Sequence, residues 1–134
     1  PEGYLWAESL GHSIQPPVPS LFTFNIPDFP LAHLSGASVQ EAKVSLVGTS
    51  LSQIGPVLIT HFGLSGPAVL KLSAWGARFL HECNYQTPVA INWLPQLNEE
   101  KIYQSLRQEK LESPQLSAGN ANLFHLPKKL WHTL

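Results

Sequence analysis

The chain has 134 residues, with eight Lys and Arg against nine Asp and Glu, and charged side chains make up only 13% of it, about half of the roughly 25% usual in soluble domains. At 43% hydrophobic residues it is apolar enough to bury a core, as one compact domain or as two small lobes sharing that core. No basic block or stripe is present to neutralise phosphates, so nucleic acid is not expected as a partner, and no apolar run reaches the about 20 residues of a spanning helix, so neither is a membrane. The single Cys83 cannot pair within the chain and the N-terminus lacks the order of a signal peptide, which makes the cytoplasm the expected location. The chain has no Met and begins Pro1-Glu2-Gly3-Tyr4, the pattern of a processed or excised piece. A surface so poor in charge is expected to rest against another one, with weak self-association as one form of that contact.

Residues 4–10 predict a short helix with Tyr4, Ala7 and Leu10 on one face, ended by Gly11. The prolines at 16, 17 and 19 hold the next segment extended. Phe22, Phe24 and Ile26 then alternate with polar residues, the period of a half-buried strand over residues 22–26. Ser35-Gly36 marks a turn, residues 43–47 predict a second strand, residues 48–55 a loop, and residues 57–61 a third strand. From Pro67 the period becomes helical. Ala68, Leu72, Trp75 and Phe79 share a face away from Lys71, Arg78 and Glu82, which predicts one amphipathic helix over residues 67–83. A strand over residues 89–94 follows. A helix over residues 98–111 is then capped by Asn98, with Glu99 and Glu100 at the positive end of its dipole. Residues 123–134 predict a last helix with Pro127 near its first position and Leu126, Leu130 and Leu134 four apart. Strands first and helices later make an α+β pattern: a small antiparallel β-barrel-like lobe and a helical-bundle lobe that looks truncated at its C-terminus.

The most informative run is Thr60-His61-Phe62-Gly63-Leu64-Ser65-Gly66-Pro67, a strand-to-helix junction. Gly63 and Gly66 permit backbone conformations closed to other residues. Ser65 or Gly66 can cap the helix, and Pro67 suits its first turn. Two readings stand side by side. The run is a tight connection and nothing more, or its free helix N–H groups serve an anion or an electron-rich carbonyl. A nucleophile elbow is disfavoured, because Pro67 stands where the last Gly of Gly-x-Ser-x-Gly belongs.

Residues 60–70 also resemble, without a gap and apart from the variable Phe62 and Val69, the Thr-His-x-Gly-Leu-Ser-Gly-Pro-Ala-x-Leu signature of a family of FAD-dependent, NAD(P)-type oxidoreductases. That family includes the BaiN-like flavoproteins and an aminoacetone oxidase. Other stretches agree in order. Gly3-Tyr4, Ala7 and Gly11-His12 are similar to the segment leaving the FAD-binding domain. Pro17 with Pro19-Ser20-Leu21 is similar to the start of the insert, and Leu34-Ser35-Gly36 to a family turn. Ile91-Asn92-Trp93-Leu94-Pro95 resembles a strand end, and Leu126-Pro127-Lys128-Lys129-Leu130 a helix of the family.

The resemblance implies that residues 1–134 are a single insert domain of a flavoprotein. Residues 1–12 are then the exit from an FAD-binding domain, 13–62 and 86–96 the β lobe, and 63–85 and 97–134 the helical lobe. It implies a non-catalytic role, roofing the flavin site and shaping the substrate pocket of a parent enzyme. The partner is the FAD-binding domain of the same polypeptide, and FAD belongs to the parent. The junction Thr60, His61, Gly63, Leu64, Ser65, Gly66 and Pro67 becomes the candidate lining of the flavin or substrate cleft, with its helix N–H groups placed to meet negative charge developing in hydride transfer. His61 either fixes the junction through a backbone hydrogen bond or faces the flavin. The alternative function is a stand-alone protein-interaction domain without enzymatic activity.

No Gly-x-Gly-x-x-Gly follows a strand, so no dinucleotide site and no catalytic residue is expected in the chain by itself. His12, His33, His61, His81, His125 and His132 form no zinc-type spacing, and adjacent His81-Glu82-Cys83 point different ways on a helix, so no metal is expected. Trp6, Trp75, Trp93 and Trp131 read as core or interface residues.

Overall fold

The computed structural model describes residues 2–121 and 123–134. Pro1 of the expected exit segment and Asn122 of the expected helical segment lie outside the described residues. Helix α1 (Glu2–Ser9) is followed by β1 (Phe24–Asn25), a 3-10 turn at Ala32–Leu34, β2 (Ser38–Leu46), β3 (Ser52–Ile59), β4 (Gly63–Ser65), α2 (Pro67–Trp75), α3 (Ala77–Glu82), β5 (Val89–Asn92), α4 (Glu99–Glu112), α5 (Ala118–Ala121) and α6 (Lys128–Thr133). The fold is α+β. Five strands in the order β1-β4-β3-β2-β5, every pair antiparallel, curl into a half-barrel.

The inner face of the half-barrel follows the period-2 rule. In β2, Ala42, Val44 and Leu46 are fully buried, and in β3 so is Val57, with Ile59 beside it. Helix α2 lies across β3, β2 and β4 and adds Ala68, Val69 and Leu72 to the same core. Leu94, Leu126 and Leu130 extend that cluster, so the chain beyond β5 is anchored to the half-barrel by a few leucines. Ser73, the one buried polar side chain among the described residues, is satisfied twice. Its hydroxyl donates to Leu70 O at 2.8 Å and accepts from Phe22 N at 2.9 Å, tying the approach to β1 onto α2.

Three expectations change, each for a local reason. The expected loop over residues 48–55 shrinks to the turn after Leu46. Thr49 closes that turn by donating its hydroxyl to Leu46 O at 2.9 Å, and β3 runs straight through Gly55 and Pro56. Pro56 is tolerated because β2 carries a bulge between Val39 and Ala42 opposite it, where the ladder is already interrupted. The single helix expected over residues 67–83 breaks at Gly76 into α2 and α3. A Cβ at Gly76 would lie 2.8 Å from Leu46 Cδ1 and 3.0 Å from Leu72 O, so glycine lets the helix pass this close to the sheet. The break also ends α2 at Trp75, whose ring is 75% exposed rather than on the buried face formed by Ala68, Val69, Leu72 and Ser73. Finally, residues 63–65 form β4, hydrogen-bonded to β1 and β3, and belong to the sheet instead of opening the helical segment.

Helix α1 ends at Ser9, and Gly11 (φ +87) stands in the turn that follows, with His12 N donating to Ala7 O at 3.0 Å; none of the residues of α1 is buried, and Tyr4 and Leu10 are exposed. The last helix, expected over residues 123–134, is confined to α6 (Lys128–Thr133), and Pro127 sits at its N-cap with an extended ψ of 127°. No helix among the described residues is long and apolar enough to cross a membrane.

Candidate functional site

Residues 60–67 form one continuous unit in which β3 turns into β4 and β4 runs into α2. Thr60 closes the turn. Its N–H donates to Gly63 O at 2.9 Å, its hydroxyl donates to the same oxygen at 3.1 Å and accepts from Phe62 N at 3.4 Å. The tip, His61 and Phe62, projects outward: both are exposed, Phe62 at 74%, and their ring centroids are 6.5 Å apart. Ile26 N donates to Phe62 O at 2.8 Å, so the tip is also tied to the end of β1. His61 makes no hydrogen bond among the described residues. The junction is fixed by Thr60, whose hydroxyl reaches both sides of a four-residue turn, and not by the imidazole.

The two glycines answer to close backbone contacts. Gly63 (φ +150) lies against β1, where a Cβ would fall 2.1 Å from Phe24 O. Gly66 (φ +100) lies against β3, where a Cβ would fall 2.7 Å from Pro56 O and 3.0 Å from Leu58 N. Between them Leu64 is fully buried and pins the unit to the core. Ser65, half-buried, pairs with Leu58 across the ladder, and its hydroxyl makes no hydrogen bond among the described residues. The N-cap of α2 is therefore Gly66, with no side-chain cap, and Pro67 occupies the first turn.

This geometry removes one of the chemical uses read from the sequence. The first free donors of α2 after Pro67 are the N–H groups of Ala68 and Val69, and those residues are 1% and 0% exposed. Leu70 N already donates to Gly66 O at 3.0 Å. The positive end of α2 is packed inside the sheet and cannot meet a phosphate or a developing oxyanion. What the unit presents outward is the aromatic tip and the exposed Pro67.

A second feature is invisible in the sequence. A groove of about 570 Å³ runs between β1 and the start of β5, lined by Phe22, Phe24, Ile26, Leu80, Tyr85 and Val89 among others. Phe22 meets Phe24 and Tyr85 edge to face at 6.2 and 5.8 Å. Four non-glycine residues with left-handed backbone flank it: Leu21 (φ 56), Asp28 (φ 49), Asn84 (φ 52) and Tyr85 (φ 59). Such conformations cost of order 1 kcal/mol or more each and persist where the surroundings over-determine them. The alternation of Phe22, Phe24 and Ile26 was the only sequence signal for this wall. The left-handed pair at 84–85 carries no glycine to announce it.

Comparison with known proteins places this architecture. Residues 18–134 match the family described as HI0933-like protein barrel and H2TH domain. A ribosomal RNA dihydrouridine synthase of Haemophilus influenzae is 37% identical over 97% of this chain and 30% of its own length. A ribosomal RNA dihydrouridine synthase of Escherichia coli is 33% identical over 97% of this chain and 30% of its own. A 3-dehydro-bile acid delta(4,6)-reductase of Clostridium scindens is 26% identical over 96% of this chain and 32% of its own. The chain thus spans about a third of the length of these relatives. The half-barrel and the α4–α6 segment that carry the match make this chain a member of the HI0933-like family, in its barrel and H2TH domain.

Proposed function

We propose that this chain is the insert of an FAD-dependent, NAD(P)-type oxidoreductase, that it roofs the flavin site and shapes the substrate pocket, and that by itself it catalyses no redox step. The observation that carries the reading is the tip at His61 and Phe62. An aromatic ring 74% exposed is held on a turn locked by Thr60 and backed by fully buried Leu64, which is how a rigid scaffold presents a side chain to something else. Thr60, Gly63, Leu64, Ser65, Gly66 and Pro67 serve as the support that fixes the tip against the cleft. In this reading FAD is held by the FAD-binding domain of the same polypeptide, where it supplies hydride chemistry. Phe62 offers an apolar face that keeps water from the pocket, and His61 a ring that can donate or accept a hydrogen bond.

The relatives narrow the parent reaction. A dihydrouridine synthase and a delta(4,6)-reductase both saturate a carbon–carbon double bond, so reduction of a conjugated double bond is the reaction class proposed for the parent. The higher identity to the two ribosomal RNA enzymes favours a uridine of RNA as its substrate. With eight Lys and Arg against nine Asp and Glu, this chain is not the part that tracks a phosphate backbone. Its contribution on such a substrate is confined to the base at the cleft.

The test is hydroxyl-radical footprinting of the full-length protein, stripped of FAD and reloaded. Protection of His61 and Phe62 in the loaded protein supports a roof over the flavin. Equal oxidation in both states contradicts it.

A further inference from the structure

We propose, resting on the reading above that the parent acts on a uridine of RNA, that the pocket between the β2 bulge, the turn after β5 and the segment entering α6 holds the base of that uridine by its O2–N3–O4 edge. The pocket has a volume of about 340 Å³ and is lined by Gln40, Glu41, Trp93, Gln96, Phe124 and His125, over a floor that includes buried Leu94 and Leu126. An apolar floor with a few convergent polar groups, at this volume, is the make-up of a small-molecule site.

Two backbone irregularities converge there. In β2 one extra residue stands between Val39 and Ala42, which pair with Val57 and Gly55 of β3, so the alternation slips and Gln40 and Glu41 are exposed in succession. His125 holds a left-handed backbone (φ 55) between half-buried Phe124 and buried Leu126, a conformation that persists where the surroundings over-determine it. The aromatic wall is fixed as well. Phe124 meets Trp131 edge to face at 5.6 Å, and Trp93 sits in a turn that Leu94 N closes by donating to Asn92 Oδ1 at 2.9 Å. The register sets this pocket toward the same end of the half-barrel as the β3–β4 turn. Gly36 N donates to Ile59 O and Ile59 N to Ala37 O, both at 2.9 Å, so β2 starts where β3 runs out into that turn. Strand β5, antiparallel to β2 and ending with Asn92 opposite Lys43, heads the same way.

The donor set matches one base. Uracil presents an acceptor, a donor and an acceptor along its O2–N3–O4 edge. A carboxylate only accepts and a glutamine amide can donate, so Glu41 with the amides of Gln40 and Gln96 supplies the complement. None of these three side chains makes a hydrogen bond among the described residues. Half-buried Trp93 offers a ring for stacking, the way unpaired RNA bases are held. Cytosine has a bare N3 where uracil has N3–H, which sets an acceptor against the Glu41 carboxylate and discriminates against it. Holding O2, N3 and O4 leaves the C5–C6 bond, on the far side of the ring, open to the cleft.

Saturation-transfer NMR on the full-length, FAD-loaded protein, with free nucleosides as probes, tests this. Uridine should bind about tenfold more tightly than cytidine and than N3-methyluridine, since each of these loses a hydrogen bond to a charged group. Glu41→Gln should weaken uridine by about the same factor and narrow its preference over cytidine, because an amide can turn its N–H toward a bare N3. Glu41 is exposed, so this variant keeps the fold. No measurable uridine binding, equal binding of uridine and cytidine, or a preference that Glu41→Gln leaves unmoved overturns the proposal. The flavin reading fails separately. A uridine preference set by Glu41, with His61 and Phe62 oxidised equally with and without FAD, strikes the roof and leaves the pocket. Protection of His61 and Phe62 without that preference strikes the pocket and leaves the roof.

Discussion

Two helices of this protein begin in opposite ways. Helix α4 begins at Asn98, in extended backbone (φ −90, ψ 163), whose side chain accepts from Lys101 N at 2.8 Å, and its first turn carries Glu99 and Glu100. None of its residues is fully buried. Helix α2 begins at Gly66 (φ +100), has no side-chain cap, and buries Ala68 and Val69 at once. The first helix is specified by its own local sequence and could be read there. The second is specified by the strands around it. Its start is a backbone crossing that only glycine fits, and the groups a cap would satisfy are enclosed by the sheet.

The comparison predicts a ranking of substitutions, all measurable as denaturant midpoints at constant m-value. Gly63→Ala should be the most damaging, at roughly 4 kcal/mol, because it adds a forbidden φ to a clash with Phe24 O that only a shift of β1 can relieve. Gly66→Val should cost about 3 kcal/mol for the same two reasons against Pro56 and Leu58. Asn98→Ala should cost about 1 kcal/mol, the loss of one exposed cap. Ser65→Ala should change stability by less than about 0.5 kcal/mol, since its hydroxyl caps nothing. A Ser65 effect as large as that of Asn98 would mean that α2 is locally capped after all, and would erase the contrast.

Much of the fold was legible because it follows period. Phe22, Phe24 and Ile26, the run from Lys43 and the run from Val57 all announced strands, and Asn98 with its two glutamates announced α4. What escaped was set by contacts between segments distant in sequence. Gly55 reads as the end of a loop until the β2 bulge opposite Pro56 is known. Gly76 reads as a tolerated helix glycine until Leu46 is found against it. The junction at residues 60–67 stood out as a unit, and its glycines are where the backbone needs them. Its chemistry was less legible: burial of Ala68 and Val69 closes the helix terminus, and the exposed feature is Phe62, which the signature treats as variable. The groove between β1 and β5 was not legible, because it is the gap left by a sheet whose strand order no single segment encodes.

The central claim is that the tip of the β3–β4 turn, and not the molecular surface in general, faces the reaction cleft of the parent enzyme. Phe62 and Trp75 make a matched pair for testing it, being 74% and 75% exposed, the first on the β3–β4 turn and the second at the C-terminal end of α2. Steady-state kinetics of the full-length enzyme should show kcat/KM reduced about tenfold or more in Phe62→Ala, roughly 1.4 kcal/mol of lost transition-state stabilisation, with Trp75→Ala unchanged and both variants as stable as the parent. Unchanged kinetics in Phe62→Ala, or an equal loss in both variants, would contradict the account.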